Sequence, residues 1–261
     1  MSYPDCRNAN RLPVLLFACL GPLSLQAGTA ALNPVADTTL IEYASNANLG
    51  GVDFFNAGTS GIGYRNRALM QFSLSEVIPA GAIINSATLI LDIVRQPGSD
   101  SEPSPFSLHR MLTSWDEGDK IPDESSPGLG AIATIGEATW IHRSLGGEMW
   151  AAPGGLPGVD YFSTASSTAF VYGLGDPVEF GSTLDLTADV QLWLDNPQSN
   201  FGWMLLTQTE DIVKTARSFA SREHEIGGPI LVIDFTPVPE PSTFLVMGLA
   251  LLACSRLRQC A

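Results

Sequence analysis

Apolar and polar residues alternate with a period of two in several short segments of this 261-residue chain, and glycine, proline, asparagine and aspartate cluster between those segments. Ala68, Met70, Phe72 and Leu74 alternate with Arg67, Gln71 and Ser73, the pattern of a strand with one face buried. Ala87, Leu89, Leu91 and Ile93 share one face of the next segment, while Thr88, Ile90 and Asp92 share the other. Phe106–Leu112, Asn200–Leu206 and Ile230–Phe235 read as further strands. A helix needs a 3.6-residue period, so this patterning excludes a helical bundle. No strand–helix–strand alternation occurs, which excludes a doubly wound parallel sheet. The expected fold is all-β, a jelly-roll-like antiparallel β-sandwich.

One segment departs from that period. Val190, Trp193 and Leu194 have helical spacing, Thr187 is placed as the N-cap with Asp189 in the first turn, and Asn196-Pro197 ends the run. One short helix is therefore expected at the edge of the sandwich. Glycine- and proline-rich stretches at 96–105, 116–136 and 144–160 have neither periodicity nor sustained charge, so they read as loops within one domain.

The two ends read differently from the middle. Arg7 and Arg11, the apolar run Leu12–Leu25 and small residues at Ala27–Ala31 have the layout of a secretory leader over 1–30, with cleavage after Ala27 or after Ala30. At the other end, Pro239, Glu240 and Pro241 precede an apolar run from Phe244 to Cys254, closed by Arg256 and Arg258. Eleven residues span roughly 17 Å as a helix, well short of the ~30 Å hydrocarbon core of a bilayer. The 238–261 segment is thus suited to transient membrane insertion and processing rather than to permanent spanning.

Cysteine usage fits this division into 1–30, 31–237 and 238–261. Cys6, Cys19, Cys254 and Cys260 all lie in the end segments. The body therefore has no disulfide framework, no thiolate metal site and no cysteine nucleophile. The chain carries 27 acidic against 13 basic side chains. Removing Asp5 and Glu240 with Arg7, Arg11, Arg256 and Arg258 leaves about 25 acids and about 9 bases, a charge of about −16. Such a surface excludes nucleic acid as a partner, since phosphate contact needs a cationic face. His109, His142 and His224 have no metal-ligand spacing, and neither a nucleophile elbow nor a phosphate-binding glycine loop occurs. No catalytic residue is assigned, and the chain is expected not to be an enzyme.

Binding residues are easier to nominate. Trp115, Trp140, Trp150, Trp193, Tyr161 and Tyr172 are flat surfaces of the kind that stack on sugar rings. Trp193 and Trp203 fall on core faces. Trp150, in the loop Glu148–Gly155, is expected to be exposed and leads a carbohydrate-binding set with Trp140. Arg65, Arg67 and Arg222 are the cations available to meet an acidic sugar, the competing reading of Arg222 being an internal ion pair with Glu223. The loop from Asp116 packs five carboxylates into nine positions. Asp116, Glu117 and Asp119 are the candidate ligands for calcium, which takes six to eight oxygens; the alternative is a solvated acidic loop.

Two resemblances extend this reading. The Pro-Glu-Pro tripeptide, short apolar run and basic tail closely resemble the PEP-CTERM sorting signal of Gram-negative bacteria. The resemblance implies processing by a membrane-embedded exosortase and delivery to the cell surface, the outer membrane or the extracellular matrix. Across about 200 residues the ordered segments Ala36–Thr38, Asn48–Gly51, Arg65–Leu74, Ile84–Leu89, Thr113–Gly118, Ala138–Trp140, Asp185–Thr187 and Phe219–Glu223 resemble the DNRLRE-type domain, a secreted β-sandwich related to carbohydrate-binding modules. The literal hexapeptide is absent, and Gln71 stands where a second basic residue is expected. This resemblance implies a structural or adhesive role with extracellular polysaccharide as partner. The competing reading is a polysaccharide-active enzyme, a glycosidase or lyase.

Overall fold

The computed structural model describes residues 26–98, 101–175 and 177–238. In chain order the first strands are β1 (Gly28–Leu32), β2 (Pro34–Ile41), β3 (Ala47–Asn48), β4 (Phe54–Thr59), β5 (Arg65–Phe72), β6 (Ile83–Leu91) and β7 (Ile93–Arg95). They are followed by β8 (Ser104–Arg110), β9 (Ala131–Ile132), β10 (Ser167–Val171), β11 (Val178–Phe180), β12 (Trp203–Thr207), β13 (Arg217–Ala220) and β14 (Ile230–Thr236). Between β11 and β12 lie α1 (Leu184–Asp195) and a 3₁₀ turn at Pro197–Ser199. The pairings between these strands are antiparallel.

The strands form a four-stranded sheet, β1-β14-β6-β11, and an eight-stranded sheet, β10-β8-β12-β5-β4-β13-β7, in which β2 also pairs with β5. The two sheets enclose an apolar core, and the fold is the all-β sandwich with one helix that the alternation predicts. Ala87, Leu89 and Leu91 of β6 and Leu231, Ile233 and Phe235 of β14 point into that core. From the larger sheet come Phe55, Met70, Phe72, Phe106, Trp203 and Phe219. Phe219 stacks on Phe55 with ring centroids 5.7 Å apart and meets Phe106 edge-on at 6.0 Å. Each such fully buried side chain contributes roughly 1.5–3 kcal/mol relative to exposure.

The larger sheet is buried on its other face as well. Ala68, Leu69 and Met70 are consecutive and all fully buried. Because successive strand residues point to opposite faces, Leu69 must be covered from outside the sandwich. Residues 111–166 provide the cover. Met111, Trp115, Ala138, Trp140, Trp150 and Tyr161 pack on Leu40, Leu69, Met204 and Leu206 as a second core. This corrects the expectation that the Arg67 face of β5 meets solvent: Arg67 is itself buried.

Apart from β9, paired with β3, this roof contains no strand or helix. Its peptide groups must therefore find partners outside any regular ladder, and buried polar side chains serve as partners. Asn48 donates to the carbonyls of Glu117 and Ala138 and accepts from the amides of Gly50 and Lys120. One Asp160 oxygen accepts from Ala151 and Leu156, and Thr139 Oγ1 accepts from Ile141 and His142.

Helix α1 begins earlier than its spacing suggested. Thr183, not Thr187, is the N-cap and accepts from the Leu186 amide, and Asp185 rather than Asp189 occupies the first turn. Asp189 is buried mid-helix, where Ser166 Oγ and Trp203 Nε1 donate to it and Arg110 lies 2.8 Å away. The expected stop at Asn196-Pro197 holds. Strand β1 begins at Gly28, so paired structure reaches three residues into the 1–30 leader span. The leader up to residue 25 and the C-terminal sorting helix lie outside the described residues.

Candidate functional site

Three carboxylates from distant parts of the chain converge beside Arg222. Asp37 sits in β2, Glu117 in the roof, and Glu223 in the turn that follows β13. Carboxylate oxygens of all three lie within 4.8 Å of one another. The Asp37 amide donates to Glu117 Oε1 at 2.7 Å, and the Arg222 amide donates to Asp37 Oδ2 at 2.8 Å. The Arg222 guanidinium grips Glu117 with two bonds, of 2.7 and 3.0 Å, and stands 2.9 Å from Glu223 Oε1. Glu223 Oε2 is buried with no partner.

Burial dominates the electrostatics here. Asp37 is 2% exposed, and desolvation pushes its carboxyl from the ordinary aspartate range up to about 8, against the hydrogen bond from the Arg222 amide. That shift favours the protonated, neutral carboxyl, which could offer its proton to a neighbouring oxygen. Burial also raises Glu117, outweighing its bonds to Arg222. The cluster could supply three oxygens to a divalent cation, fewer than calcium prefers, and Arg222 already places a positive charge among them.

This is not the arrangement read from the acidic loop. Asp116 is exposed, and Asp119 points to solvent and pairs with Lys120 at 2.7 Å. Of the three, only Glu117 turns inward, toward Asp37 and Glu223. Residues 80 positions before Glu117 and 106 after it complete the cluster, a convergence that local spacing does not encode. The ion pair of Arg222 with Glu223 is present, joined by the one with Glu117.

The expected sugar platform is also rearranged. Trp150 and Trp140 are each only 4% exposed, so neither presents a face on which a sugar could stack. Trp150 donates its indole N–H to the Thr139 carbonyl at 2.9 Å. The reason is the fold of 144–160: a bridge between His142 and Met149 and the Asp160 bonds draw this loop onto the sheet. Trp140 lies under two guanidinium groups, those of Arg65 at 5.3 Å and Arg67 at 5.5 Å from its ring centroid. Arg67 donates twice to Glu210, at 2.7 Å each, and to the carbonyls of Gly154 and Gly155. Gly154, at φ 82°, packs so tightly on the Trp140 indole that a Cβ would lie 2.5 Å from the ring. Arg65 is held by Glu42, whose carboxyl it keeps below the usual glutamate range. All three arginines thus brace the protein internally. His109 is buried, bonded through Nδ1 to the Phe162 carbonyl and through Nε2 to Ser107, both at 2.9 Å.

The aromatic surface that does face solvent lies elsewhere. Phe170, on edge strand β10, is 52% exposed, and Tyr172 just beyond it is 70% exposed. Their ring centroids are 4.9 Å apart with the planes tilted by 54°. They border a groove of about 470 Å³ that runs to Pro177 and to Val178 and Glu179 of edge strand β11. Buried Arg217 donates to the Tyr172 carbonyl, and Gln96 accepts from the Leu174 amide at 3.0 Å, so the backbone carrying the rings is fixed from beneath. From sequence, Tyr172 is named among the flat side chains for its ring alone and Phe170 is missed; alternation of Thr168, Phe170 and Tyr172 was the available signal for both. A second groove, of about 210 Å³, lies between Val35, Phe72, Trp193 and Asn200.

Past the last strand the chain enters residues 237–259. These match the PEP-CTERM protein-sorting motif. The motif marks an exported protein sorted by exosortase in Gram-negative bacteria. It starts at the residue after Thr236, with no spacer between β14 and the signal. Pro239, Glu240, Pro241, Arg256 and Arg258 fall within the matched span and outside the described residues. No family match supports the DNRLRE-type resemblance of the sandwich, and no curated protein matches the chain.

Proposed function

We propose that this PEP-CTERM protein is a non-catalytic component of the cell surface or extracellular matrix that holds polysaccharide on its Phe170–Tyr172 face. The exposed, rigidly backed aromatic pair beside an open groove carries the reading. Tyrosine and phenylalanine rings offer apolar faces to sugar C–H groups, and a backbone fixed by Arg217 and Gln96 loses little freedom on binding. The negative surface and Glu179 at the groove favour a neutral glycan over an acidic one.

The glycosidase or lyase alternative would need its acid and base where a sugar can reach them. The Asp37 carboxyl, raised and close to two other carboxylates, has the electrostatics of a general acid. It is buried, however, and neither groove described above is lined by Asp37, Glu117 or Glu223. That separation supports a binding role.

Affinity electrophoresis in gels containing neutral or acidic polysaccharides tests the proposal. Phe170→Ala with Tyr172→Ala is expected to weaken retention on a neutral glycan by roughly tenfold. Equal retention of wild type and double variant, or release of new reducing ends by the wild type, would overturn it.

A further inference from the structure

The two ends of the described body lie side by side. Gly28 of β1 is opposite Phe235 of β14, and Leu32 is opposite Leu231, so β1 runs along the outer edge of the strand that leads into the sorting motif. Strand β1 is bound by more than its ladder. Ala30 and Leu32 are buried in the sandwich core. Thr29 Oγ1 donates to Asp234 Oδ1 at 2.6 Å, and Ser86 donates to the other oxygen of that carboxylate. The Phe235 ring lies over Gly28, 2.8 Å from where a Cβ would be, so this position accepts only glycine without rearrangement. Gln26 and Ala27, immediately before, are exposed and outside the strand.

We infer that the leader is removed by hydrolysis of the Ala27–Gly28 peptide bond, leaving Gly28 as the first residue of the exported protein. The sequence permits a second bond: Gly28-Thr29-Ala30 has the small-x-small spacing that a leader peptidase reads, directing cleavage after Ala30. That cut would discard Gly28, Thr29 and Ala30. It would remove one core side chain and the Thr29–Asp234 bond, and leave only Ala31 and Leu32 to cover the edge of β14. An uncovered strand edge is a site for pairing with other chains. Cleavage after Ala27 keeps all five residues of β1. Water adds across the amide, the Ala27 carboxylate departs with the leader, and Gly28 gains the free α-amino group.

The inference rests on export, and its test separates the two. The full chain is produced in an exporting Gram-negative host, the cells are fractionated, and the N-terminal peptide is read by mass spectrometry. Gly28 as the terminus of exported protein is the expected result. An exported chain beginning at Ala31, or elsewhere within β1, overturns the inference and leaves export standing, whereas uncut chain confined to the cytosol removes both. A variant that leaves the sandwich unchanged supplies a second test. Ala27→Tyr, at an exposed position, places a bulky side chain before the proposed bond and is expected to abolish the Gly28 terminus; an unchanged terminus in this variant also overturns the assignment.

Discussion

The two faces of the eight-stranded sheet are covered in different ways. On the inner face, strands and helix α1 meet strands, each strand backbone is satisfied by its ladder, and the buried layer is dominated by aliphatic and aromatic side chains, with Asp189, Arg110 and Arg217 as its charged members. On the outer face a roof of irregular chain lies over the same strands, and the buried layer includes Asn48, Arg67, Glu137, Thr139 and Asp160. The contrast follows from backbone hydrogen bonding. A ladder leaves a strand's side chains free to be apolar, whereas chain without a ladder can be buried only where side chains supply the missing donors and acceptors. Polar burial in the roof is thus part of how it is held.

The sharpest test of this contrast is to damage each layer in turn. Phe219→Ala opens a cavity between Phe55 and Phe106 in the inner core and is expected to cost about 3–5 kcal/mol of global stability, read by urea denaturation. Beneath the roof, Asn48→Ala strips partners from the buried peptide groups of Glu117, Ala138 and Lys120 and is expected to cost about 1–3 kcal/mol. Its loss should be local: limited proteolysis should cut within 112–160 while the sandwich fragment survives. A global loss with no such cut would mean that roof and sandwich unfold as one unit.

Acidity probes the point where roof, β2 and the turn after β13 meet. The folded-state pKa of Asp37 is raised to about 8, so between the unfolded aspartate value of 3.8 and about 8 the folded state keeps a proton that the unfolded chain has released. Stability is therefore expected to fall as pH rises through that window, by up to about 1.4 kcal/mol per pH unit. Asp37→Asn imitates the neutral acid and should flatten the slope, leaving a remainder from Glu117, whose shift has the same sign. Thermal midpoints at pH 5, 6, 7 and 8 for both proteins check this, and identical slopes would contradict it. The smallest effect belongs to the solvent side: Phe170→Ala with Tyr172→Ala should alter stability by no more than about 0.5 kcal/mol per site. A larger loss would mean that these rings serve folding rather than recognition.

The inner core was legible in the sequence because alternation encodes it: Ala87, Leu89 and Leu91 lie on the face their period assigns. The roof was not, since Trp140 and Trp150 sit in segments without periodicity, and nothing local distinguishes a loop folded onto a sheet from one extended into water. The apolar stripe of α1 offered more than was taken from it. Leu186 already belongs with Val190, Trp193 and Leu194, and that places the cap before Leu186, at Thr183. The carboxylate cluster was beyond local reading, because a neighbouring charge at Asp116 or Asp119 says nothing about partners from the two ends of the domain.

The absence of a spacer between β14 and the sorting motif has a mechanical consequence. A pull on the chain beyond Thr236 enters β14 lengthwise, and β14 is an interior strand joined to β1 along one side and β6 along the other. Tension is then shared among many cross-strand bonds loaded in shear, which must give way together instead of opening one after another. A body tethered in this way to a surface would resist being dragged apart by flow.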